Sequence, residues 1–185
     1  KNNKKYSIDI VKVVDNLLNS GQSKSILNGV LASKYENIIT IDGDLQNDPN
    51  DIPKLIKHYV SNQDISLVGG IRAKRKDSLL KRLSSFVANK VRSRLLDDGC
   101  ADTGCGLKIF KKKIFLEFSF FNGIHRFLPA LFKGYGKKLL FVDVNHRPRY
   151  KGKSNYGTIS RLVNGLIDTY RVYKTIKSKN DSLHK

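Results

Sequence analysis

Short β-branched apolar runs alternate along this chain with stretches whose apolar residues recur at helical spacing, which is the pattern of an α/β protein. Ile38-Ile39-Thr40-Ile41 predicts a buried strand of a mostly parallel sheet, and Ile65-Ser66-Leu67-Val68, closed by Gly69-Gly70, predicts another. Leu107-Lys108-Ile109-Phe110 and Lys138 to Val144 read as further strands, and Ile8 to Val14 as a strand or the end of one. A first helix is expected from a Ser23 cap through Leu31, with Ile26, Leu27, Val30 and Leu31 on one face. A second runs from Pro49 to about Val60 and carries Ile52, Leu55, Ile56 and Tyr59. Leu80, Leu83, Val87 and Val91 stripe a third over Ser78 to Leu96, and His125 to Phe132 predicts a short aromatic one. The last, from Thr158 to about Ile176, is expected to turn Ile159, Leu162, Val163, Leu166 and Tyr170 to one side, with a disordered tail from residue 178. These elements divide the chain into an α/β domain over residues 1–156, a basic amphipathic helix over 157–177 and a tail over 178–185.

The chemistry concentrates where the first clear strand ends. Asp42-Gly43-Asp44-Leu45-Gln46-Asn47-Asp48-Pro49 follows it directly, with Asp48 placed to cap the next helix, Pro49 at its first position and Asp51 in its first turn. Asp42 and Asp44 thus stand at the C-terminal end of a central strand, where open α/β sheets bind ligands. If the chain stays extended, the two carboxylates point the same way and share a divalent cation, and hard oxygen ligands suit Mg²⁺ or Mn²⁺. Gln46 adds a neutral oxygen. An ordinary Asp-Gly turn is the competing reading.

Charge extends the picture. Lys+Arg 35 against Asp+Glu 16 gives a net charge of +19, which calls for a polyanionic neighbour: nucleic acid, an anionic bilayer surface or a phosphorylated substrate. Most of the basic residues between Ile71 and Arg94 read as a solvated helix face, but Arg72 and Arg75 follow a strand end on the same side as Asp44. The acidic, glycine-rich stretch Asp97 to Gly106 is either a shaped active-site loop containing Asp102 or a plain connector. No acid occurs between Val144 and Ile167, and Arg147, Arg149 and Ser154 with a flexible Gly152 suit phosphate oxygens. The final helix either lies on an anionic membrane surface or docks on the domain with a solvated outer face. His125 is expected to be structural. Cys100 and Cys105 read as free thiols of a cytoplasmic protein, and no stretch approaches a membrane span. Because the chain contains no methionine and starts at Lys1, it is expected to be a fragment.

Four pieces in order, Asp42 to Pro49, Gly69-Gly70-Ile71-Arg72, Asp102-Thr103-Gly104-Cys105-Gly106-Leu107-Lys108, and Arg147-Pro148-Arg149 with Gly152 and Ser154, resemble the family 2 glycosyltransferases. The likeness is specifically to the dolichyl- or polyprenyl-phosphate sugar synthases, and it runs from about Asn19 to Lys177. It implies a GT-A type, Rossmann-like open sheet, incomplete at its N-terminus because nothing before Asn19 resembles the family's first strand and acidic loop. It also implies metal-dependent inverting transfer from a nucleotide-diphosphate sugar to a polyprenyl-phosphate or related cell-envelope acceptor, by a protein peripheral at the inner face of the cell membrane. By the same resemblance Asp44 and Gln46 hold Mg²⁺ or Mn²⁺, Asp42 contacts the donor, and Arg72, Arg75 and Arg149 bind phosphates. Asp102 lines the acceptor loop as the candidate base. Asn155 stands where the family has a lysine, which touches acceptor binding. Two other readings compete: a basic nucleic-acid-binding module, for which few aromatics interleave with the arginines, and an inactive transferase remnant.

Overall fold

The computed structural model describes residues 11–16, 18–72, 92–148 and 158–183. Its centre is a four-stranded sheet made of β1 (Asn37–Thr40), β2 (Ile65–Arg72), β3 (Lys108–Lys111) and β4 (Lys138–Val144), in the order β1-β3-β2-β4. β2 and β4 pair in parallel, whereas β3 lies antiparallel to both β1 and β2. Three strands therefore run one way and β3 is reversed, so the sheet is mixed, with three of its four strands sharing one direction. All three parallel strands deliver their C-terminal ends to the same edge.

Register explains why both faces are apolar. Ile38 pairs with Phe110, which pairs with Leu67, and one residue along Ile39 pairs with Ile109 and Ile109 with Val68. Side chains alternate between faces with a period of two, so these two rows point opposite ways. The first row packs with Val30, Phe115, Leu128, Leu131, Phe132 and Val172 under α1 (Gly21–Ala32), α3 (Lys112–Leu116), α4 (Leu128–Gly134) and α5 (Thr158–Leu183). The second packs with Leu55, Tyr59, Leu107, Val142 and Val144 under α2 (Ile52–Val60). A sheet covered on both faces needs continuous apolar strands rather than alternating ones, as the short β-branched runs required. Phe127 and Phe132 are core residues, and Phe132 meets Phe118 edge-to-face at 5.2 Å between ring centroids.

Several expectations change. Residues 11–16 form no strand and Val11 and Val13 are exposed, while the rest of the expected segment, residues 8–10, lies outside the described residues. Ser23 does not cap α1. It is the third residue of the helix and is buried, because Gly21, with a left-handed φ of 75°, lets the helix start earlier. Asp48 does cap its turn, accepting from Asn50 N at 3.0 Å, but the turn is a 3₁₀ segment, Pro49–Asp51, before α2 begins. Of the helix expected over 78–96, residues 92–96 are helical and the rest lies outside the described residues.

The last helix differs most. It continues to Leu183, through the stretch expected to be disordered, since no Gly or Pro follows Gly165 to stop it. It is also turned differently: Asp168, Thr169 and Val172 are buried, whereas Leu166 and Tyr170 are exposed. The side chains of Ile159, Leu162 and Val163 lie outside the described residues. Two contacts set this rotation. Asp168 accepts from Arg126 at 2.8 Å, and Ile176 packs against Gly134, where a Cβ would come within 2.5 Å of Ile176 Cγ1.

That contact gives a direct check on the docking of α5. Gly134→Ala is expected to destabilise the protein by about 1–3 kcal/mol in urea denaturation, and a second change, Ile176→Ala, is expected to relieve part of the Gly134→Ala clash in a double-mutant cycle.

Candidate functional site

Four segments meet at the C-terminal edge of the sheet: the turn after β1, the end of β2, the loop that enters β3, and the N-terminus of α1. β1 ends at Thr40, and the chain turns at Gly43–Asp44 instead of staying extended. Leu45 then adopts a φ of 64°, a left-handed conformation that is costly for a bulky residue and is held here by its surroundings. Asp44 Oδ1 accepts from Gln46 N at 3.2 Å, closing the turn with its own side chain. Asn47 is buried and fixes the turn from beneath, its Oδ1 accepting from Asp42 N at 3.2 Å.

The glycine-rich loop packs directly on this turn. Thr40 Oγ1 donates to Gly106 O at 2.8 Å. A Cβ on Gly106 would lie 2.2 Å from Asp42 Oδ2, so only glycine allows the carboxylate to rest there. Loop and strand are joined again by Arg72 at the end of β2. Its Nε donates to Asp102 Oδ2 at 2.6 Å, a terminal guanidinium nitrogen donates to Asp102 Oδ1 at 2.7 Å, and its backbone N–H reaches Oδ2 at 3.3 Å. This is a bidentate fork in a half-dry setting, the strong form of an Arg–carboxylate pair. Behind it, the buried Arg92 anchors the start of the loop by donating to Asp98 Oδ2 at 2.7 Å.

Lys108 is the charge beneath the site. It is buried, its ammonium donates to Cys105 O, and burial pushes it below the usual lysine range while the charges of Asp42 and Asp102 pull it back. Burial first, and then the neighbouring Asp44, raise the Asp42 carboxyl above the usual range, against the opposing effects of Lys108, Arg72 and Gln22. Gln22 Nε2 donates to Asp42 Oδ1 at 2.9 Å.

A second loop closes the side of the site. Asn145, just past β4, donates its backbone N–H to the buried Asp51 Oδ2 at 2.7 Å, and Arg147 N donates to Gln46 O at 2.9 Å. Asp51, in the first turn after Asp48 as expected, thus also ties that turn to the loop after β4. Arg147 also pairs with Asp48 at 2.7 Å. That pairing and, more strongly, the Asn50 N–H hold Asp48 below the usual carboxylate range.

The structure therefore brings Asp42, Asp44, Asp102 and Arg72 together, and sets Gln46 and Arg147 on the adjoining loop. Arg75, Arg149 and Ser154 lie outside the described residues. Gln22, Asn47 and Lys108 belong to the site without having been singled out from the sequence. Of these, Lys108 did carry a signal, being a charged residue inside an otherwise apolar strand. Among the described residues no three His, Cys, Asp or Glu side chains cluster as a metal cage. The donor set still fits a hard cation: the Asp44 charge works against ionisation of Asp42, which a divalent ion would relieve, and Mg²⁺-type ions take only one or two carboxylates and complete their shell from phosphate and water.

Comparison with known proteins agrees with this geometry. The profile of Glycosyl transferase family 2 matches residues 2–118, and the chain belongs to that family. It is 33% identical over 165 residues to dodecaprenyl-phosphate galacturonate synthase of Rhizobium johnstonii, covering 88% of this chain and 48% of that protein. It is also 33% identical over 150 residues to undecaprenyl-phosphate 4-deoxy-4-formamido-L-arabinose transferase of Pectobacterium carotovorum, covering 81% of this chain and 45% of that protein. The chain spans about half the length of the curated relatives it matches. Its fold is the GT-A type: glucosyl-3-phosphoglycerate synthase from Mycobacterium tuberculosis, bound to phosphoglyceric acid, superposes with a TM-score of 0.62 at 16% identity, over 80% of this chain and 55% of that one. The same enzyme with Mn²⁺, UDP-glucose and phosphoglyceric acid superposes with a TM-score of 0.60 at 17% identity, over 80% and 54%.

One titrating group behind the site gives a pH signature. Ser23 Oγ accepts from Gly123 N at 2.8 Å and shares a hydrogen bond of 2.7 Å with His125 Nδ1, so the imidazole is buried against a hydroxyl with no carboxylate beside it among the described residues. Burial, then the charges of Arg126 and Lys108, push His125 down to about 4. In the unfolded chain histidine titrates near about 6.5, so the unfolded state takes up the proton first as pH falls. This stabilisation is complete above about pH 6.5 and is lost on the way down to about pH 4. Denaturation at pH 7 and pH 5 is expected to show wild type losing about 2 kcal/mol more than His125→Gln.

Proposed function

We propose that this chain is the catalytic part of a metal-dependent, inverting glycosyltransferase that moves a sugar from a nucleotide-diphosphate donor to a polyprenyl phosphate or a related cell-envelope acceptor. The observation that carries this reading is the meeting of Asp42, Asp44, Asp102 and Arg72 at one edge of a GT-A sheet. The names of the curated relatives, both polyprenyl-phosphate sugar transferases, support the acceptor, and the UDP-glucose and Mn²⁺ of the structural relative support the donor and the cation.

Asp44, with Gln46 beside it, would hold Mg²⁺ or Mn²⁺, and the ion supplies charge for the diphosphate of the donor and of the leaving group. Asp42 contacts the donor. Arg72 offers its planar fork to a phosphate oxygen, and Asp102 aims that fork. In inverting transfer the acceptor phosphate oxygen attacks the anomeric carbon, and the bond to the diphosphate breaks with its electron pair leaving on the nucleotide. A phosphate is already ionised at neutral pH, so the site needs positioning and charge more than a base. That fits an Asp102 with both oxygens engaged by Arg72 better than it fits a free proton acceptor. Arg147, Arg149 and Ser154 serve the acceptor phosphate in this reading, and Arg75 the donor.

In the whole protein that carries this chain, Asp44→Asn is expected to lower sugar transfer by about 10²–10³-fold and to abolish Mn²⁺-dependent nucleoside diphosphate binding. If Asp44→Asn left both intact, the metal assignment would be wrong. Salt-sensitive binding to RNA or DNA with no metal requirement would favour the nucleic-acid module instead.

α5 supplies the membrane side of the proposal. Among the described residues no helix is long and apolar enough to cross a membrane. α5 nevertheless exposes Leu166, Ile167 and Tyr170 by 44%, 54% and 57%, with Arg171 and Lys174 beside them, the pattern of a helix that rests on an anionic surface. In this reading the protein works at the inner, cytoplasmic face of the cell membrane, where a lipid-linked acceptor would be met. Sedimentation with vesicles containing anionic lipid is expected to capture the wild type, and Ile167→Ser with Tyr170→Ser to weaken capture about tenfold or more. Equal capture of both would remove α5 from the membrane contact.

A further inference from the structure

We propose that Gln22 is a positioning residue for Asp42, and that the buried Ser23–His125–Gly123 clamp fixes where Gln22 stands. The proposal rests on the reading of Asp42 as a donor contact. Gln22 is the second residue of α1 and is exposed, yet its carboxamide donates to Asp42 Oδ1 at 2.9 Å. The carboxyl group as a whole lies over Gly106, with Oδ2, Cγ and Oδ1 all within 2.5 Å of where a Cβ would stand. The carboxylate is thus held in two ways, by a hydrogen bond on Oδ1 and by packing of the whole group on the glycine. Together these define the plane of the group and not merely its location. A side chain presented to a sugar or ribose hydroxyl needs that definition, because small misplacements of a positioning group are costly to rate.

Gln22 can do this only if α1 is fixed about its own axis. Successive helical residues emerge about 100° apart, so anchoring one sets the direction of the next. Ser23 is that anchor. It is buried, hydrogen-bonds His125 Nδ1 at 2.7 Å and accepts from Gly123 N at 2.8 Å, so its hydroxyl is held by two partners from the same distant turn. The turn is itself held: Gly123 has a φ of 100°, and a Cβ there would lie 2.7 Å from Asp168 Oδ2 of α5, which pairs with Arg126 at 2.8 Å. A chain of short polar contacts therefore runs from α5 through the turn at Gly123–Arg126 to Ser23, Gln22 and Asp42.

The test uses the whole protein that carries this chain, with two readouts. The first is the ¹³C resonance of the Asp42 carboxyl, assigned by its loss in Asp42→Asn. The second is Mn²⁺-dependent binding of UDP, GDP and CDP. Gln22→Ala is expected to move the Asp42 resonance and to weaken the nucleotide that binds by about tenfold, with an unchanged melting temperature because the residue is exposed. Ser23→Ala is expected to move the same resonance in the same direction, with a lower melting temperature. An Asp42 resonance that stays in place in Gln22→Ala overturns the proposal. A resonance that moves while the wild type binds none of the three nucleotides upholds the positioning role and refutes the donor-site reading on which it was built.

Discussion

The fork between Arg72 and Asp102 is the interaction on which the arrangement of the site depends. Arg72 is the last residue of a central strand, and Asp102 lies in a loop with little regular structure of its own. Two side-chain hydrogen bonds and one from the backbone join them, and with both side chains largely out of solvent the pair is screened far less than a surface ion pair. The loop is thereby pinned beside the sheet, so that Gly106 can settle on Asp42 and Thr40 can donate to the Gly106 carbonyl. Removing either partner would leave a charge half-buried and the loop untethered, which is why such pairs are costly to break even where their net worth is small.

Charge balance constrains the same place from below. Asp42, Asp44 and Asp102 crowd one edge of the sheet, and burial alone would push Asp42 toward its neutral form. Lys108 answers this from inside the domain. It pairs in register with Thr40 on one side and Gly69 on the other, which puts its side chain on the face of Ile38 and Phe110, at the end of the row nearest the carboxylates. A buried ammonium is itself costly. It is tolerated here because it has a carbonyl partner and two carboxylates within electrostatic reach. The strand thus carries an apolar core at one end and a counter-charge at the other.

The sequence pattern made these features legible to different degrees. The strands around Ile38, Leu67 and Phe110 and the helix over Leu55 and Tyr59 were readable because each buries a repeat of the right period. The acidic turn was readable because Asp-x-Asp after a strand and Asp-Pro before a helix are local signals. The reversed direction of β3 was not, since a short run such as Leu107 to Phe110 looks the same in either direction. Neither was the rotation of α5: its apolar residues span more than one face, and the choice between faces was made by Asp168 and by the gap at Gly134, which are tertiary facts. Gln22 and Ser23 were hidden for a similar reason. Ser23 carries the local signature of a helix cap, and nothing nearby says that a histidine a hundred residues on will claim its hydroxyl.

The long-range polar contacts share a direction, and it bears on how the two ends of the chain cooperate. Asp168 reaches Arg126, the turn at Gly123 reaches Ser23, and Gln22 reaches Asp42, so a helix near the end of the chain is mechanically continuous with a carboxylate near its start. Continuity is not coupling, which requires an element with two states that both sites bias. α5 is the natural place to look for one. Its inner face is locked by Val172 and Ile176, while its outer face leaves Leu166, Ile167 and Tyr170 in water, an arrangement whose free energy changes when a surface covers them. If α5 shifts on meeting a membrane, the shift enters the site through Arg126 and Ser23 and reaches the rotation of α1, the quantity that aims Gln22. A helix that does not shift would leave the same contacts acting as a brace, holding the Asp42 carboxylate against the loop packed on it.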